Sequence, residues 1–290
     1  MHSPDVLVLG AGGDDGAAWM AGVLAGIAEA SGIEFGAVEQ LLGTSAGAML
    51  AADLLAGVEP RPPRAVADEG TADGEPAEAR SADSALRAGL ARLGAVATPL
   101  VPFTLAAGRP VSSRLRAAAL ARIESPPGAL DGLRERIAGH GLAFDGRLRV
   151  ACVERASGRR VVFGAPGAPA AGVAEAVQAS CSVPWRHRAV RIGEQEYVDG
   201  AVWSPTNLDA APALRETHVL CLAPMGGQLG PRPRHAAIDA AATAALALET
   251  LVLRGRGAHV TTIVPDAGAN GDGDLRLAGY RQGLAFARRR

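Results

Sequence analysis

At the start of the chain, short apolar runs alternate with segments that have the pattern of a helix. Residues Val6–Leu9 form an aliphatic run that stops at glycines, which predicts a buried strand ending in a turn. From Ala17 to Ala30, apolar residues recur at helical spacing. A second apolar run, Val38–Leu42, leads through a turn into a helix-forming stretch at Ala46–Ala56. Two successive strand–turn–helix units predict an α/β fold with a parallel sheet.

The rest of the chain resumes this pattern after a less regular segment. Residues 58–85 are rich in Pro, Glu, Ala, Asp and Arg, and predict a mobile or disordered excursion. Residues 86–140 predict helices broken by prolines, which form a cap over the site. The remaining predicted elements are strands at Leu148–Val153, Arg160–Phe163, His218–Leu222 and His259–Val264, helices at Val173–Ala179, Ala236–Leu253 and Leu275–Arg288, and a hairpin at Ala189–Val198 turning at Gly193-Glu194. We expect one domain over residues 1–290.

Composition narrows the class of protein. The 290 residues are 48% hydrophobic, enough for a sizeable core, and a net charge of −1 without any lysine gives no indication of a nucleic-acid partner. The cysteines Cys152, Cys181 and Cys221 are far apart and odd in number, so we expect buried thiols in a reducing compartment. No apolar run suits a signal peptide or reaches the ~20 residues of a membrane span. We therefore expect a cytoplasmic protein, with its oligomeric state open.

A serine between glycines follows the second predicted strand, in the run Gly43-Thr44-Ser45-Ala46-Gly47. This G-x-S-x-G pattern lets the chain turn sharply from strand to helix, and presents the serine at the positive end of the helix dipole. Serine is a poor nucleophile at neutral pH, so acyl transfer needs a base and donors for the oxyanion. Ser45 is the candidate nucleophile, and Gly43 and Gly47 support its turn. The alternative is a glycine-rich turn in which Ser45 only caps the helix.

The base for such a serine is a histidine or a carboxylate, and the sequence offers both. Asp199 ends the second arm of the predicted hairpin and precedes Gly200, so its carboxylate would lie at a strand end beside a tight turn. Burial would raise its pKa from the ordinary value of about 3.9 and make it a better base. Asp-Gly is also a favoured turn pair without any catalytic role. His218, His235 and His259 are the histidines that a triad would use.

The first glycine-rich run supplies candidate donors for an oxyanion. Backbone N–H groups of Gly12, Gly13 and Asp14 can converge on a negative oxygen at a helix start, with Gly16 extending the loop. The run lacks the G-x-G-x-x-G and Gly-Lys-Ser/Thr patterns of nucleotide-binding loops, and its two aspartates would repel a phosphate. It therefore favours acyl chemistry.

Four blocks taken in order resemble the patatin-like phospholipase family. They are Gly12-Gly13-Asp14-Asp15-Gly16, Gly43-Thr44-Ser45-Ala46-Gly47, Gln178-Ala179-Ser180-Cys181-Ser182-Val183-Pro184-Trp185 and Asp199-Gly200-Ala201. The third is similar to the family's A-S-x-A-x-P segment with Ser182 or Val183 varied. The resemblance spans residues 5 to about 210 and fits the remaining residues only loosely.

The resemblance implies a three-layer α/β/α fold with a central, mostly parallel sheet. It implies a Ser45–Asp199 dyad without histidine, an oxyanion hole of Gly12, Gly13 and Asp14, and no metal or other cofactor. The implied activity is hydrolysis of carboxylic esters of acyl lipids, of the phospholipase A or lipase type, and some members transfer the acyl group to an acceptor other than water. Such a substrate allows transient contact with a membrane surface, although no basic amphipathic stretch predicts one.

One position departs from the family pattern. Asp15 stands where the family often has Arg or Lys, although other bacterial relatives lack that base and share the Gly16-x-Ala18-Trp19 continuation. A carboxylate near a developing oxyanion opposes catalysis unless it points away or is paired. Two alternatives stay open. One is an α/β-hydrolase with a Ser-Asp-His triad that uses one of the histidines, and the other is a catalytically weak patatin-fold protein with a binding or regulatory role.

Overall fold

The computed structural model describes residues 2–63, 110–124, 126–227, 236–266, 269 and 274–289, with only the backbone at 110–112 and 236–239. Helices in these ranges are α1 (Gly13–Ser31), α2 (Ala46–Leu55), α3 (Pro110–Ala121), α4 (Asp131–Ala138), α5 (Val173–Ser180), α6 (Ala236–Gly255) and α7 (Leu275–Arg288). Strands are β1 (Val6–Leu9), β2 (Gln40–Thr44), β3 (Leu148–Glu154), β4 (Arg160–Phe163), β5 (Val190–Ile192), β6 (Gln195–Asp199), β7 (His218–Leu222) and β8 (His259–Ile263). Short 3-10 turns lie at Phe35–Ala37, Gly200–Val202, Leu208–Ala210 and Pro224–Gly226.

The strands form one mixed sheet. Five of them run parallel in the order β3-β2-β1-β7-β8, while β4 and β6 pair with β3 in the antiparallel sense and β5 pairs with β6. The confirmed fold is therefore α/β with a central, mostly parallel sheet. The predicted hairpin is confirmed as β5 and β6, joined at Gly193, whose φ of 60° suits glycine.

Strand β3 brings β2 and β6 to the same edge. Its residues 150–153 pair with β4 along one edge, so β2 and β6, which overlap that stretch, must both use the other edge. On that edge Thr44 pairs with Ala151 and Asp199 pairs with the next residue, Cys152. The carboxyl end of β2 therefore meets the carboxyl end of β6.

Both faces of the central strands β1 and β2 are buried, because successive apolar residues of a strand point to opposite faces of the sheet. On β1, Leu7 and Leu9 belong to a core cluster shared with residues of α1, α2, α5 and α7. Val6 and Val8 point to the opposite face, into a cluster with residues of α6 and the 208–213 segment. The sheet therefore lies between two helical layers.

The first helix begins earlier than its apolar pattern predicts. We expected it from Ala17, but α1 starts at Gly13, so the presumed glycine loop is the N-cap Gly12 followed by the first helical turn. The acidic residues Asp14 and Asp15 in that turn interact favourably with the helix dipole. Acidic residues in a first turn indicate a helix start, but the spacing of apolar residues does not include them. Strand β2 is also shifted by two residues toward the serine.

The predicted excursion and cap are only partly described. Residues 58–63 contain no helix or strand, and helices α3 and α4 lie where the cap was predicted. Leu120 of α3 packs in one cluster with Val198 and Val202, which flank Asp199 in sequence. Residues 64–109 lie outside the described part of the chain, so the excursion, the cap over the site and the single domain remain predictions. Within the described ranges, none of the helices has the length and hydropathy of a transmembrane segment.

Candidate active site

Ser45 occupies a tight turn between β2 and α2. Its φ of 53° and ψ of −121° are rare for a residue with a side chain, and such strain costs on the order of 1–3 kcal/mol. The flanking glycines are needed for close backbone approach. A Cβ on Gly47 would lie 2.0 Å from the Leu9 carbonyl oxygen, and one on Gly43 would lie 2.4 Å from the Ala48 Cα. The turn is thus pressed against β1, as in a nucleophile elbow.

The hydroxyl of Ser45 points at a carboxylate. Ser45 Oγ donates a hydrogen bond to Asp199 Oδ2 over 2.8 Å, and the Ala201 N–H donates to Asp199 Oδ1 over 2.8 Å. Ser45 makes no side-chain bond to the start of α2, so the reading of Ser45 as a simple helix cap is wrong. Ser45 is 9% exposed and Asp199 is 2% exposed. The bond therefore lies almost entirely out of bulk water.

Burial changes the acidity of Asp199. Removing the carboxylate from water raises its pKa from 3.8 to about 7, and the hydrogen bonds from Ala201 and Ser45 act in the opposite direction. An aspartate with an ordinary pKa is too weak a base for a serine hydroxyl. A pKa near neutrality makes Asp199 a better proton acceptor while leaving much of it ionised at pH 7.

The start of α1 can supply oxyanion donors. The Gly16 N–H donates a helical hydrogen bond to the Gly12 carbonyl, so the N–H groups of Gly13 and Asp14 precede the hydrogen-bonded ladder. Gly13 has a φ of 62°, which a residue with a side chain rarely adopts. The N–H groups of Gly12, Gly13 and Asp14 thus sit at the positive end of a 19-residue helix.

The two aspartates in this turn are exposed to solvent. Burial, and then the Asp199 carboxylate, raise the pKa of the Cys181 thiol, and the Asp14 carboxylate adds a smaller contribution. Asp15 follows it around the helix by about 100° and so points in another direction. Hydration weakens the repulsion that either carboxylate exerts on a negative oxygen.

Two buried thiols, Cys152 and Cys181, lie next to Asp199 and Ser45. Burial, and then the Asp199 carboxylate, raise the pKa values of Cys152 and Cys181 well above their ordinary range. Such thiols stay protonated and are poor nucleophiles. All three cysteines, including Cys221, are buried and free, which confirms their predicted role as core residues.

Two of the three candidate histidines lie away from the serine. His218 and His259 begin β7 and β8, and their rings stack with centroids 4.9 Å apart. Ser45 follows the carboxyl end of β2, so it lies at the opposite end of the parallel strands from both histidines. His259 also contacts Glu216 over 3.1 Å. The third, His235, lies outside the described residues.

Three contacts at this site join residues that are distant in sequence, and of these residues Ser180 belongs to the third sequence block, although the block does not reveal its partner. The hydroxyl of Ser180 accepts the Ser45 N–H over 2.9 Å. The side chain of Asn207 donates to Thr44 Oγ1 over 3.2 Å, and the neighbouring Pro205 carbonyl accepts the Ala11 N–H over 2.7 Å. The segment from Pro205 to Asn207 therefore supports both the serine turn and the start of α1.

The buried carboxylate of Glu249 holds the segment from Pro205 to Asn207 in place. Glu249 of α6 accepts hydrogen bonds from Thr206 Oγ1 over 2.6 Å and from the Leu208 N–H over 2.9 Å. Burial raises the pKa of Glu249, and the nearby Asp209 raises it further. Glu249 lies outside the four sequence blocks, and the fold brings it to this segment.

Comparison with known proteins assigns the chain to a family. The model of the family described as patatin-like phospholipase matches residues 7–212, a range that includes Gly12, Ser45 and Asp199. Comparison with curated protein sequences finds no match. Among solved structures, the chain is similar to VipD from Legionella pneumophila, with 14% sequence identity and a TM-score of 0.46 over 99% of this chain and 67% of that chain. The match over most of its length shows that the chain belongs to the patatin-like phospholipase family.

Proposed function

We propose that this protein is a serine acyl hydrolase that cleaves carboxylic esters of acyl lipids with a Ser45–Asp199 dyad. The observation that carries the proposal is the 2.8 Å hydrogen bond from Ser45 Oγ to the buried Asp199 Oδ2. The family supports lipid hydrolysis in general, and the residue roles are inferred from the contacts of this chain.

The first half of the proposed reaction transfers the acyl group to the enzyme. Asp199 Oδ2 accepts the Ser45 hydroxyl proton while Oγ attacks the ester carbonyl carbon. The carbonyl oxygen becomes negative and accepts hydrogen bonds from the N–H groups of Gly12, Gly13 and Asp14. When the carbonyl forms again, the ester C–O bond breaks, and Asp199 returns the proton to the leaving alcohol. The product of this half is an ester of Ser45.

The second half releases the acid. Water gives a proton to Asp199 and attacks the acyl-Ser45 carbonyl, with the same donors holding the oxyanion. Collapse breaks the bond between the acyl carbon and Ser45 Oγ, and the proton on Asp199 returns to the serine. An alcohol in place of water would make the same site an acyl transferase.

A fluorophosphonate probe tests this proposal without knowledge of the substrate. The probe phosphonylates an activated serine, so digestion and mass mapping should find the label on the peptide that contains Ser45. Ser45→Ala should abolish labelling, and Asp199→Asn should slow it strongly because the base is lost. A wild-type protein that is folded by circular dichroism and remains unlabelled at Ser45 would instead favour a binding or regulatory protein.

Hydrolysis must then be separated from transfer. Incubation with a fluorescent acyl ester, with and without a second alcohol, followed by chromatography, shows whether the acyl chain leaves as free acid or as a new ester. We expect free acid as the main product. A new ester as the main product would reassign the protein as a transferase that uses the same two residues.

A further inference from the structure

Ser180 is the last residue of α5 and is completely buried. Its hydroxyl donates to the Ala151 carbonyl of β3 over 2.8 Å and accepts the Ser45 N–H over 2.9 Å. A serine hydroxyl has a single hydrogen. Because the Ala151 carbonyl takes that hydrogen, a lone pair of the oxygen is left facing Ser45. The orientation of the hydroxyl is thus fixed from both sides.

The same end of α5 also touches the second member of the dyad. The Asp199 N–H donates to the Ser182 carbonyl over 3.0 Å. Ala151, the acceptor for Ser180, is the β3 residue that pairs with Thr44, and its neighbour Cys152 pairs with Asp199. Ser180 therefore lies where the turn of the nucleophile, the strand of the base and β3 converge.

The backbone of Ser45 needs such support. Its positive φ is unfavourable for serine, so neighbouring contacts must hold it. A buried N–H without an acceptor would add a penalty of about 1–3 kcal/mol. The Ser180 hydroxyl removes this penalty in the conformation that aims Ser45 Oγ at Asp199.

We propose that Ser180 is a positioning residue that fixes the backbone of the nucleophile and thereby aligns Ser45 Oγ with Asp199. This inference rests on the proposed function. It has a second consequence: the Ser45 N–H is already bonded to Ser180 and is not free for the oxyanion, which agrees with donors at the start of α1.

The test compares Ser180→Ala and Ser180→Cys with Ser31→Ala. Ser31 makes a matched control because its hydroxyl also serves a helix end, donating to the Ile27 carbonyl over 2.7 Å at the far end of α1. Cysteine is somewhat larger than serine and its thiol is a weak acceptor, so Ser180→Cys removes the hydrogen bond without the cavity that alanine would leave. Melting curves identify a temperature at which each variant is folded.

With a soluble p-nitrophenyl ester, we expect kcat to fall on the order of 10- to 100-fold in both Ser180 variants with little change in KM. The second-order rate of fluorophosphonate labelling should fall by a similar factor. The Ser45 hydrogen bond lowers the pKa of Asp199, so loosening it should also move the midpoint of the pH–rate profile upward. Ser31→Ala should keep the wild-type values, whatever its melting temperature.

The outcomes separate this inference from the proposed function. Failure of the wild-type protein to label at Ser45 removes both. Normal labelling of the wild type, together with wild-type kcat and an unmoved pH midpoint in either folded Ser180 variant, rejects only the role of Ser180. A change confined to KM, or a loss of kcat that only follows the unfolded fraction, rejects it as well.

Discussion

Thr44 and Asp199 pair with neighbouring residues of one strand, Ala151 and Cys152, although they are far apart in sequence. Strand β2 reaches this point from one direction and β6 from the other, so the residue after Thr44 faces the residue that ends β6. Sheet register, and not loop packing, therefore sets the separation of Ser45 Oγ and Asp199 Oδ2. A site built on strands in this way is held more rigidly than one built on loops.

Removal of either member of the dyad should abolish ester hydrolysis. Ser45→Ala has no nucleophile, and Asp199→Asn has no base, so we expect kcat to fall by at least about 10³-fold in each. His218→Ala and His259→Ala should keep kcat within about threefold, because both histidines lie at the amino ends of the parallel strands and Ser45 lies beyond the carboxyl end of β2. Release of p-nitrophenol gives the rates. Loss of activity in a histidine variant that is still folded would restore the triad, and His235→Ala completes that series.

The rate should depend on pH through Asp199. The carboxylate must be ionised to accept a proton, and burial raises its pKa to about 7. We expect kcat/KM for an uncharged ester to rise about tenfold per pH unit below the midpoint and to level off above pH 7. A profile between pH 5 and 9 gives the midpoint, and a flat profile would contradict the assignment.

A histidine would give a similar midpoint, so temperature must separate the two bases. Ionisation of a carboxyl group has little enthalpy, whereas ionisation of an imidazolium has a substantial one. The midpoint should therefore hardly move between 10 and 35 °C if Asp199 is the base. A clear downward shift on warming would indicate an imidazole.

Local sequence was enough for most of the framework. The strands Val6–Leu9 and Arg160–Phe163 and the helix Leu275–Arg288 begin and end where the pattern predicts. Asp5 and Gly10 flank the first strand, Gly164 ends the second, and Asp274 precedes the helix, so each has a boundary signal in its sequence. The turn at Ser45 was also foreseeable, since two glycines at fixed spacing around a serine encode its geometry.

Contacts that depend on register could not be read in this way. Apolar spacing begins only later, at Trp19, and so predicts a loop at Asp14 and Asp15. The helix in fact begins at Gly13, and the two carboxylates interact favourably with its dipole. Glu249 reaches the site only because α6 packs over the Leu208 turn, and its neighbours in sequence are ordinary helix residues. Such contacts join distant parts of the chain, and neither propensity nor motif spacing records them.

Ionisation of Asp199 should also lower the stability of the fold at high pH. The native pKa of Asp199 is about 7 and the ordinary value is 3.8, so the native state holds its proton more tightly than the unfolded chain. The stability that Asp199 contributes is thus complete below pH 4 and is lost as the pH rises through 7. The loss amounts to something on the order of 4 kcal/mol.

Asp199→Asn removes this titration and gives the measurement. Urea unfolding of the wild type and the variant at pH 5 and pH 8 should show a difference in unfolding free energy that grows in favour of the variant at the higher pH. Other titrating groups cancel because they are common to both proteins. A difference that is the same at both pH values would mean that the pKa of Asp199 is not raised.

Asp14 should slow the proposed reaction through its charge. Burial is the main cause of the raised pKa of the Cys181 thiol, which neighbours Ser45, and the Asp14 carboxylate adds a smaller contribution; we therefore expect Asp14 to repel negative charge that forms on the substrate. Because Asp14 is exposed, the repulsion is screened by water and salt, and Asp14→Asn should raise kcat only about two- to fivefold at low ionic strength.

Asp15→Asn is the matched control, since it makes the same charge change in the same helical turn on another side of the helix. The gain should shrink in 0.5 M NaCl, where screening acts over about 4 Å. Equal gains in both variants, or a gain that ignores salt, would show that the charge of Asp14 does not act on the reaction.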